Sequence, residues 1–318
     1  MDGRSINFSV IVATRNRAES LKDTLSKLAS QETEGRFTYE VVVVDNGSSD
    51  STRQVVETFA AGFPVAVRYL REDRLGKPYA LNTGMAHACG EIFAITDDDV
   101  MPTPGWLKGL WSCFQEEKAE AVGGKILPLW VDGRPDWLTD ELLHHVGGSL
   151  GLVDRGDRRL FQGCQWVGGN LAIRREVVAR VGGFDIRLLR SQDTEYYQRC
   201  RRTGIRVVYE PGAVVRHKVG PERLTLKYLR IWRHRTGYYH AYLPPWRKYH
   251  LLTVLPLYWY RVLIDNAFRW VGSFVARRPW RERFIYELWL RNSFSQWLHR
   301  FQLLPRWWVA VLQRRSQI

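Results

Sequence analysis

Ile92-Phe93-Ala94-Ile95-Thr96-Asp97-Asp98-Asp99 sets a short apolar run directly against three consecutive carboxylates. Ile92–Ile95 has the length and composition of a strand buried on both faces. Adjacent carboxylates raise one another's pKa unless a cation or a set of donors offsets the repulsion. A hard divalent cation, which prefers oxygen ligands, is the least costly way to tolerate them. In open α/β sheets ligands bind at the carboxyl ends of strands. The triplet is therefore the first candidate for the chemistry, and the competing reading is a turn whose carboxylates face water.

The segments before it alternate. Phe8–Ala13 reads as a strand ending in the polar cluster Thr14-Arg15-Asn16-Arg17, and Leu21, Leu25 and Leu28 mark a helix after it. Tyr39–Val44 reads as a second buried strand, ending at Asp45-Asn46-Gly47-Ser48-Ser49-Asp50, residue types that favour a turn and then a helix cap. Val65–Leu70 reads as a third strand and Pro78–Ala88 as a helix. This alternation predicts an α/β layered fold with a mostly parallel central sheet.

Downstream, Gly123–Trp130 and Gln165–Ile173 read as strands and Gly147–Gly156 as a loop. Arg174–Val181 is a short helix before Gly182-Gly183, and Thr194–Arg202 is a helix stopped by Gly204. Ile205–Tyr209 and Ala213–Val215 read as two further strands. The chain contains no internal repeat and no low-complexity linker.

Charge divides the 318 residues unevenly. Residues 218–318 carry 19 Lys/Arg against 4 Asp/Glu and hold 9 of the 14 tryptophans, whereas residues 1–217 are nearly neutral. From Leu224 onward the pattern is helical, aromatic and studded with arginine. Arg261, Asp265 and Arg269 recur every four residues, a narrow charged stripe on an otherwise apolar helix. The longest uncharged apolar run, Leu251–Tyr260, is interrupted by Pro256, so no transmembrane span is expected. Such helices suit an anionic membrane interface. The alternatives are packing on the preceding α/β domain or a second subunit, as in a homodimer, and a nucleic-acid surface, which the width of the apolar face disfavours. Cys89, Cys113, Cys164 and Cys200 form no C-x-x-C pair, and the N-terminus has no signal-like segment. Both features predict a cytosolic protein with reduced thiols.

Several ordered motifs within residues 7–217 resemble glycosyltransferase family two, whose members have the GT-A fold and use nucleotide-sugar donors. Val10–Arg17 looks like the family's opening strand and nucleotide loop, and Val43–Thr52 like its second block. Gly76-Lys77-Pro78-Tyr79-Ala80-Leu81-Asn82-Thr83-Gly84 is similar to the segment before the acidic motif, and Asp97-Asp98-Asp99 falls on the D-x-D position. The resemblance implies donor contacts from Thr14, Arg15, Asn16, Asp45, Lys77, Asn82, Asp97 and Asp98. It implies a Mg²⁺ or Mn²⁺ ion on Asp99, with Asp97 and His217 as further ligands. Gly168, Gly169, Asn170 and Gln192 fall in the acceptor-side blocks, and Asp193 falls on the catalytic base. Gln192 departs from the family's usual Glu, removing a carboxylate beside that base. Asp193 also reads as the N-cap of the helix that follows, and Lys77 and Arg74 as screens for the donor phosphates.

The resulting expectation is an inverting, metal-dependent transferase with a catalytic domain over residues 1–220. Within it, 1–105 would form the nucleotide-binding half and 106–220 the acceptor-binding half. Residues 221–318 would form a basic, Trp-rich helical extension at the cytoplasmic face of a membrane. The donor would be a UDP-, GDP- or dTDP-sugar and the acceptor a glycan or lipid-linked hydroxyl. A sugar nucleotidyltransferase would need a Gly-rich loop after the first strand, and Ala13–Arg17 has no glycine. A non-catalytic membrane- or nucleic-acid-binding protein on the same fold would have no use for the intact acidic triplet and Asp193.

Overall fold

The computed structural model describes residues 6–161, 164–241 and 257–300. The chain forms two compact units, Met1–Gly133 with Leu150–Gly220, and Arg134–Ser149 with Pro221–Ile318.

The first unit is built on an eight-stranded sheet. Its nucleus is β1 (Phe8–Thr14), β2 (Tyr39–Asp45), β3 (Val67–Arg71) and β4 (Ile92–Asp97), all mutually parallel in the spatial order β3-β2-β1-β4. These strands are joined by α1 (Ala18–Ala29), α2 (Thr52–Gly62) and α3 (Lys77–His87). Parallel strands require such crossovers, and helices then cover both faces. The side chains alternate accordingly. Val10, Val12, Val41 and Val43 pack with Leu21, Leu25 and Leu28 of α1, while Ile11, Val42 and Val44 pack with Leu81 and Met85 of α3. Helix α3 lies directly on β1 because Gly84 has no side chain there: a Cβ would come within 2.6 Å of Ile11 Cγ2.

The rest of the sheet is mixed, adding three antiparallel pairings to a sheet whose longer ladders are parallel. It contains β5 (Val100–Pro102), β6 (Ala121–Trp130), β7 (Asn170–Arg174) and β8 (Val207–Val219), extending the order as β4-β7-β6-β8-β5. Strand β7 runs antiparallel to β4 and β6, β5 antiparallel to β8, and β6 parallel to β8. Helices α4 (Trp106–Glu116), α6 (Arg175–Val181) and α7 (Gln192–Arg202) belong to this half. The strand expected over Gln165–Ile173 begins only at Asn170, because Asn170 N closes a turn on Val167 O at 3.0 Å. The loop expected over Gly147–Gly156 opens with a 3₁₀ turn, and Val153 bridges to Ile126.

The two short strands expected at 205–209 and 213–215 form one strand with a bulge. Gly124 of β6 faces Glu210 while Lys125 faces Val214, leaving three residues of β8 unpaired. Asn170, fully buried, fills the gap. Its Nδ2 donates to Lys125 O at 2.9 Å and Ala213 O at 2.8 Å, and its Oδ1 accepts from Trp106 Nε1 at 2.8 Å. A Cβ at Gly124 would lie 2.3 Å from that amide, so only glycine fits opposite it.

The second unit is helical. It comprises α5 (Asp140–Val146), α8 (Leu226–Ala241), α9 (Leu257–Val275) and α10 (Trp280–Arg300), and α10 packs on the other three. Thr139 caps α5, accepting from Leu142 N. Arg230 of α8 grips Glu287 of α10 through two bonds of 2.7 and 2.9 Å. Among the described residues no helix is long and apolar enough to cross a membrane. The apolar stretch Leu251–Pro256 and the terminal residues 301–318 lie outside the described residues.

Replacing Asn170 by Ala leaves two buried carbonyls and an indole N–H without partners. An expected loss of about 2–4 kcal/mol in unfolding free energy follows, read from urea denaturation. A smaller loss than from an exposed-site control would show that the amide does not hold the bulge.

Candidate active site

Register brings the acidic triplet to a shared edge. Ala13 pairs with Asp97 and Thr14 with Asp45, so β1, β2 and β4 end side by side at Thr14, Asp45 and Asp97. This is the point where the strand order reverses, the usual ligand crevice of such sheets. Thr96 pairs with Asn170, which sets Gly168-Gly169 against the triplet, and Thr96 Oγ1 donates to Gly169 O at 3.0 Å. On the far side Val100 pairs with His217, and Lys218 N donates to Asp99 O at 3.0 Å.

Asp98 and Asp99 are only 6% and 8% exposed, which excludes the water-facing turn. Each carboxylate has a protein counter-charge. Lys77 Nζ pairs with Asp97 Oδ1. Arg17 Nη1 bridges Asp98 Oδ1 at 3.1 Å and Asp99 Oδ2 at 2.9 Å. Thr14 Oγ1 donates to Asp98 Oδ2 at 2.7 Å, and His217 Nε2 lies 3.5 Å from Asp99 Oδ1. Burial pushes Asp98 up to about 6 even though Arg17 opposes it. Burial works against the Lys77 ammonium, yet the Asp97 carboxylate holds its pKa above the ordinary value. Arg17 is absent from the site expected from sequence. Its signal was its place in the polar cluster that closes β1.

Among the described residues no three His, Cys, Asp or Glu side chains converge as a ready-made metal cage. The donor types nevertheless fit a hard cation: the carboxylates of Asp97 and Asp99, and the His217 Nε2 facing Asp99. A Mg²⁺-like ion is commonly held by one or two carboxylates together with substrate phosphates.

Asp193 faces the triplet across Gly168. Its Oδ2 accepts from Gly168 N at 2.9 Å and its Oδ1 from Thr194 N at 2.8 Å, which fixes the carboxylate plane. An atom added at Gly168 as a Cβ would lie 3.6 Å from both Asp193 Oδ2 and Lys77 Nζ, so the two charged groups flank one small space. Asp193 is not the helix cap. Helix α7 starts at Gln192, and Ser191, in the left-handed region at φ 55°, precedes it. Gln192 is buried beside it, and Glu195 is taken up by Arg199 through bonds of 3.0 and 2.7 Å.

The nucleotide-side loops hold one another. Asn16, also at positive φ, donates its N–H to Ser48 Oγ at 2.9 Å and accepts from Ser49 N at 2.8 Å. Asp45 accepts from Ser48 N and Tyr69 OH, both at 2.7 Å. The Nε of Arg15 is buried without a hydrogen-bond partner among the described residues, leaving a donor available to a ligand. Both polar atoms of the Asn82 amide are engaged by the backbone of one residue. Its Nδ2 donates to Phe184 O at 2.9 Å and its Oδ1 accepts from Phe184 N at 2.8 Å, so it secures the loop before α7. Asn170 likewise serves the bulge. Sequence reasoning also missed Glu72. It accepts from Arg74 N and Nη2, each at 2.8 Å, and from Thr83 Oγ1 at 2.6 Å. With Asn46, whose Oδ1 accepts from Gly76 N at 2.7 Å, it shapes the turn that delivers Lys77.

Residues 9–182 match the model of the family described as glycosyl transferase family 2. The chain is similar to a glucosyl-dolichyl phosphate glucuronosyltransferase of Haloferax volcanii, 28% identical over 70% of this chain and 73% of that protein. It is also similar to the succinoglycan biosynthesis protein ExoM of Rhizobium meliloti, 26% identical over 76% of this chain and 77% of that one. Among solved structures it superposes on the mannosyltransferase PcManGT from Pyrobaculum calidifontis, in complex with GDP-Man and Mn²⁺. That match has a TM-score of 0.57 at 24% identity, covering 99% of this chain and 81% of the other.

Hydrogen bonds from Arg74 and Thr83 hold Glu72 down at about 2, with burial opposing them. Its folded pKa is thus depressed, so its contribution is complete above the ordinary value of about 4.3 and lost as pH falls toward 2. Glu72→Gln should cost about 1–3 kcal/mol at pH 7. The gap to wild type should narrow by pH 3 in urea titrations, and a gap independent of pH would show that the charge is not what matters.

Proposed function

The chain belongs to glycosyl transferase family 2, and from that premise we propose that this glycosyltransferase inverts the anomeric centre of a nucleoside-diphosphate sugar with the help of a divalent cation. The observation that carries the reading is the narrow space at Gly168, bounded by Asp193 on one side and by Lys77 with the acidic triplet on the other.

Asp193 takes the proton from an acceptor hydroxyl. The hydroxyl oxygen forms a bond to the anomeric carbon as that carbon's bond to the diphosphate oxygen breaks, and the bonding electrons leave with the phosphate. Attack opposite the leaving group inverts the centre. Base assistance of this kind contributes about 10²–10⁴-fold. The hydrogen bonds from Gly168 N and Thr194 N aim the carboxylate, and each oxygen keeps a further lone pair for the proton. Lys77 places a positive charge beside Asp97 where diphosphate charge develops. Asp99, Asp97 and His217 would hold Mg²⁺ or Mn²⁺, which neutralises the leaving diphosphate when bound. Thr14, Arg15, Asn16 and Asp45 line the nucleotide end of the same strand edge.

The donor is a UDP-, GDP- or dTDP-sugar, a range consistent with the GDP-Man complex of the similar mannosyltransferase. A glycan or lipid-linked acceptor is supported by the likeness to the dolichyl phosphate and succinoglycan enzymes. The excess positive charge and tryptophan of residues 218–318 support a peripheral position at an anionic, cytoplasmic membrane face.

Asp193→Asn should lower kcat by about 10²–10⁴-fold while leaving donor-dependent thermal stabilisation intact. Asp99→Ala should abolish the part of that stabilisation that depends on Mg²⁺ or Mn²⁺. Transfer that survives both substitutions would overturn the assignment, and a product of retained configuration by NMR would overturn the single displacement.

A further inference from the structure

One face of α9 is apolar without being part of the bundle's core. Ile264, Phe268, Val271 and Val275 follow one another at spacings of four, three and four, a single stripe along the helix. All four are exposed, Phe268 by 73% and Val275 by 82%. The opposite side turns to α10: Ser273 is buried, and Asn266 Nδ2 donates to Ser293 Oγ at 3.3 Å. At the turn between the two helices Phe274 and Trp280 are also exposed, beside Arg277 and Arg278. Arg261, Asp265 and Arg269 border the stripe, Arg261 lying 3.7 Å from Asp265. Over residues 257–300 there are eight arginines against three carboxylates.

We propose that α9 and the turn into α10 form a membrane-inserted element. The Ile264–Val275 stripe enters the boundary between headgroups and acyl chains, and Arg269, Arg277 and Arg278 meet anionic headgroup phosphates. This rests on the peripheral-membrane reading above and assigns it to specific residues. An amphipathic helix with aromatic and aliphatic residues on one side and arginines beside them is the composition such interfaces select. A second copy of the chain fits less well. A two-fold contact through this stripe would bring together two surfaces that each carry more arginines than carboxylates. Nucleic acid fits less well too, since the stripe offers mainly aliphatic surface where stacking would need aromatic faces.

The test is co-sedimentation of the full chain with vesicles of phosphatidylcholine alone or with about 30% phosphatidylglycerol. Wild type should bind the anionic vesicles and bind less in high salt. Phe268→Ser with Val275→Ser should lower that binding about tenfold or more, with unchanged Tm and unchanged donor-dependent thermal stabilisation. Arg277→Glu with Arg278→Glu should weaken binding to the anionic vesicles only. If wild type binds and both variants bind as well, α9 is not the element, although the membrane reading stands. If wild type ignores both vesicles, the membrane reading fails and this inference with it. A wild-type dimer that Phe268→Ser with Val275→Ser converts to monomer, with vesicle binding unaltered, would make the stripe a subunit contact and overturn the proposal.

Discussion

Three carboxylates in sequence cannot share a buried strand end without opposing charge, and the arrangement of the catalytic unit follows from meeting that demand. Lys77, Arg17 and His217 come from three separate places in the chain, yet all reach the triplet, Arg17 touching two of its members. Their convergence depends on strand register, since β1, β2 and β4 end level and β5 pairs with the tail of β8. Loops that appear peripheral serve the same end. Glu72 and Asn46 shape the turn before α3, and that turn places the Lys77 ammonium. With these protein charges in position, the crevice does not hold bare like charges.

The parallel half of the sheet was legible because strands buried on both faces leave continuous apolar runs, as in Val41–Val44 and Ile92–Ile95. The acidic triplet stood out because three adjacent carboxylates close an apolar run, whereas Asp193 was marked only by its place among the family-like motifs. The mixed half was not. A strand's direction leaves no mark in its composition, and Trp166-Val167 reads as strand although the glycines after it turn the chain. Polar side chains were ambiguous for a related reason. Asn82 and Asn170 sit within the family-like motifs, but both amides are held by backbone groups distant in sequence. Arg17 could be seen only in part, since nothing in Thr14-Arg15-Asn16-Arg17 says which basic side chain folds back across the strand end.

The two units differ in what their charge does. In the first, nearly every acidic side chain near the strand ends has a basic partner, and the effect is local. In the second, arginines outnumber carboxylates over a helical surface, and the effect is a field felt at the range of a Debye length, weakened by salt. One chain thus carries charge organised in two ways, as short-range pairs at a strand edge and as a long-range field over helices.

The bulge in β8 has a consequence in parity. Along an unbroken strand all odd-numbered residues would share one face of the sheet. Tyr209 packs with Tyr196 and Leu81, whereas Val215 packs with Trp106 and Leu110, so the faces exchange between them. Three extra residues, an odd number, make that exchange. His217 follows Val215 in phase and therefore emerges toward Asp99. A uniform strand of the same composition would carry its imidazole on the opposite surface. The odd count at the Asn170 plug is what puts His217 on the Asp99 side of the sheet.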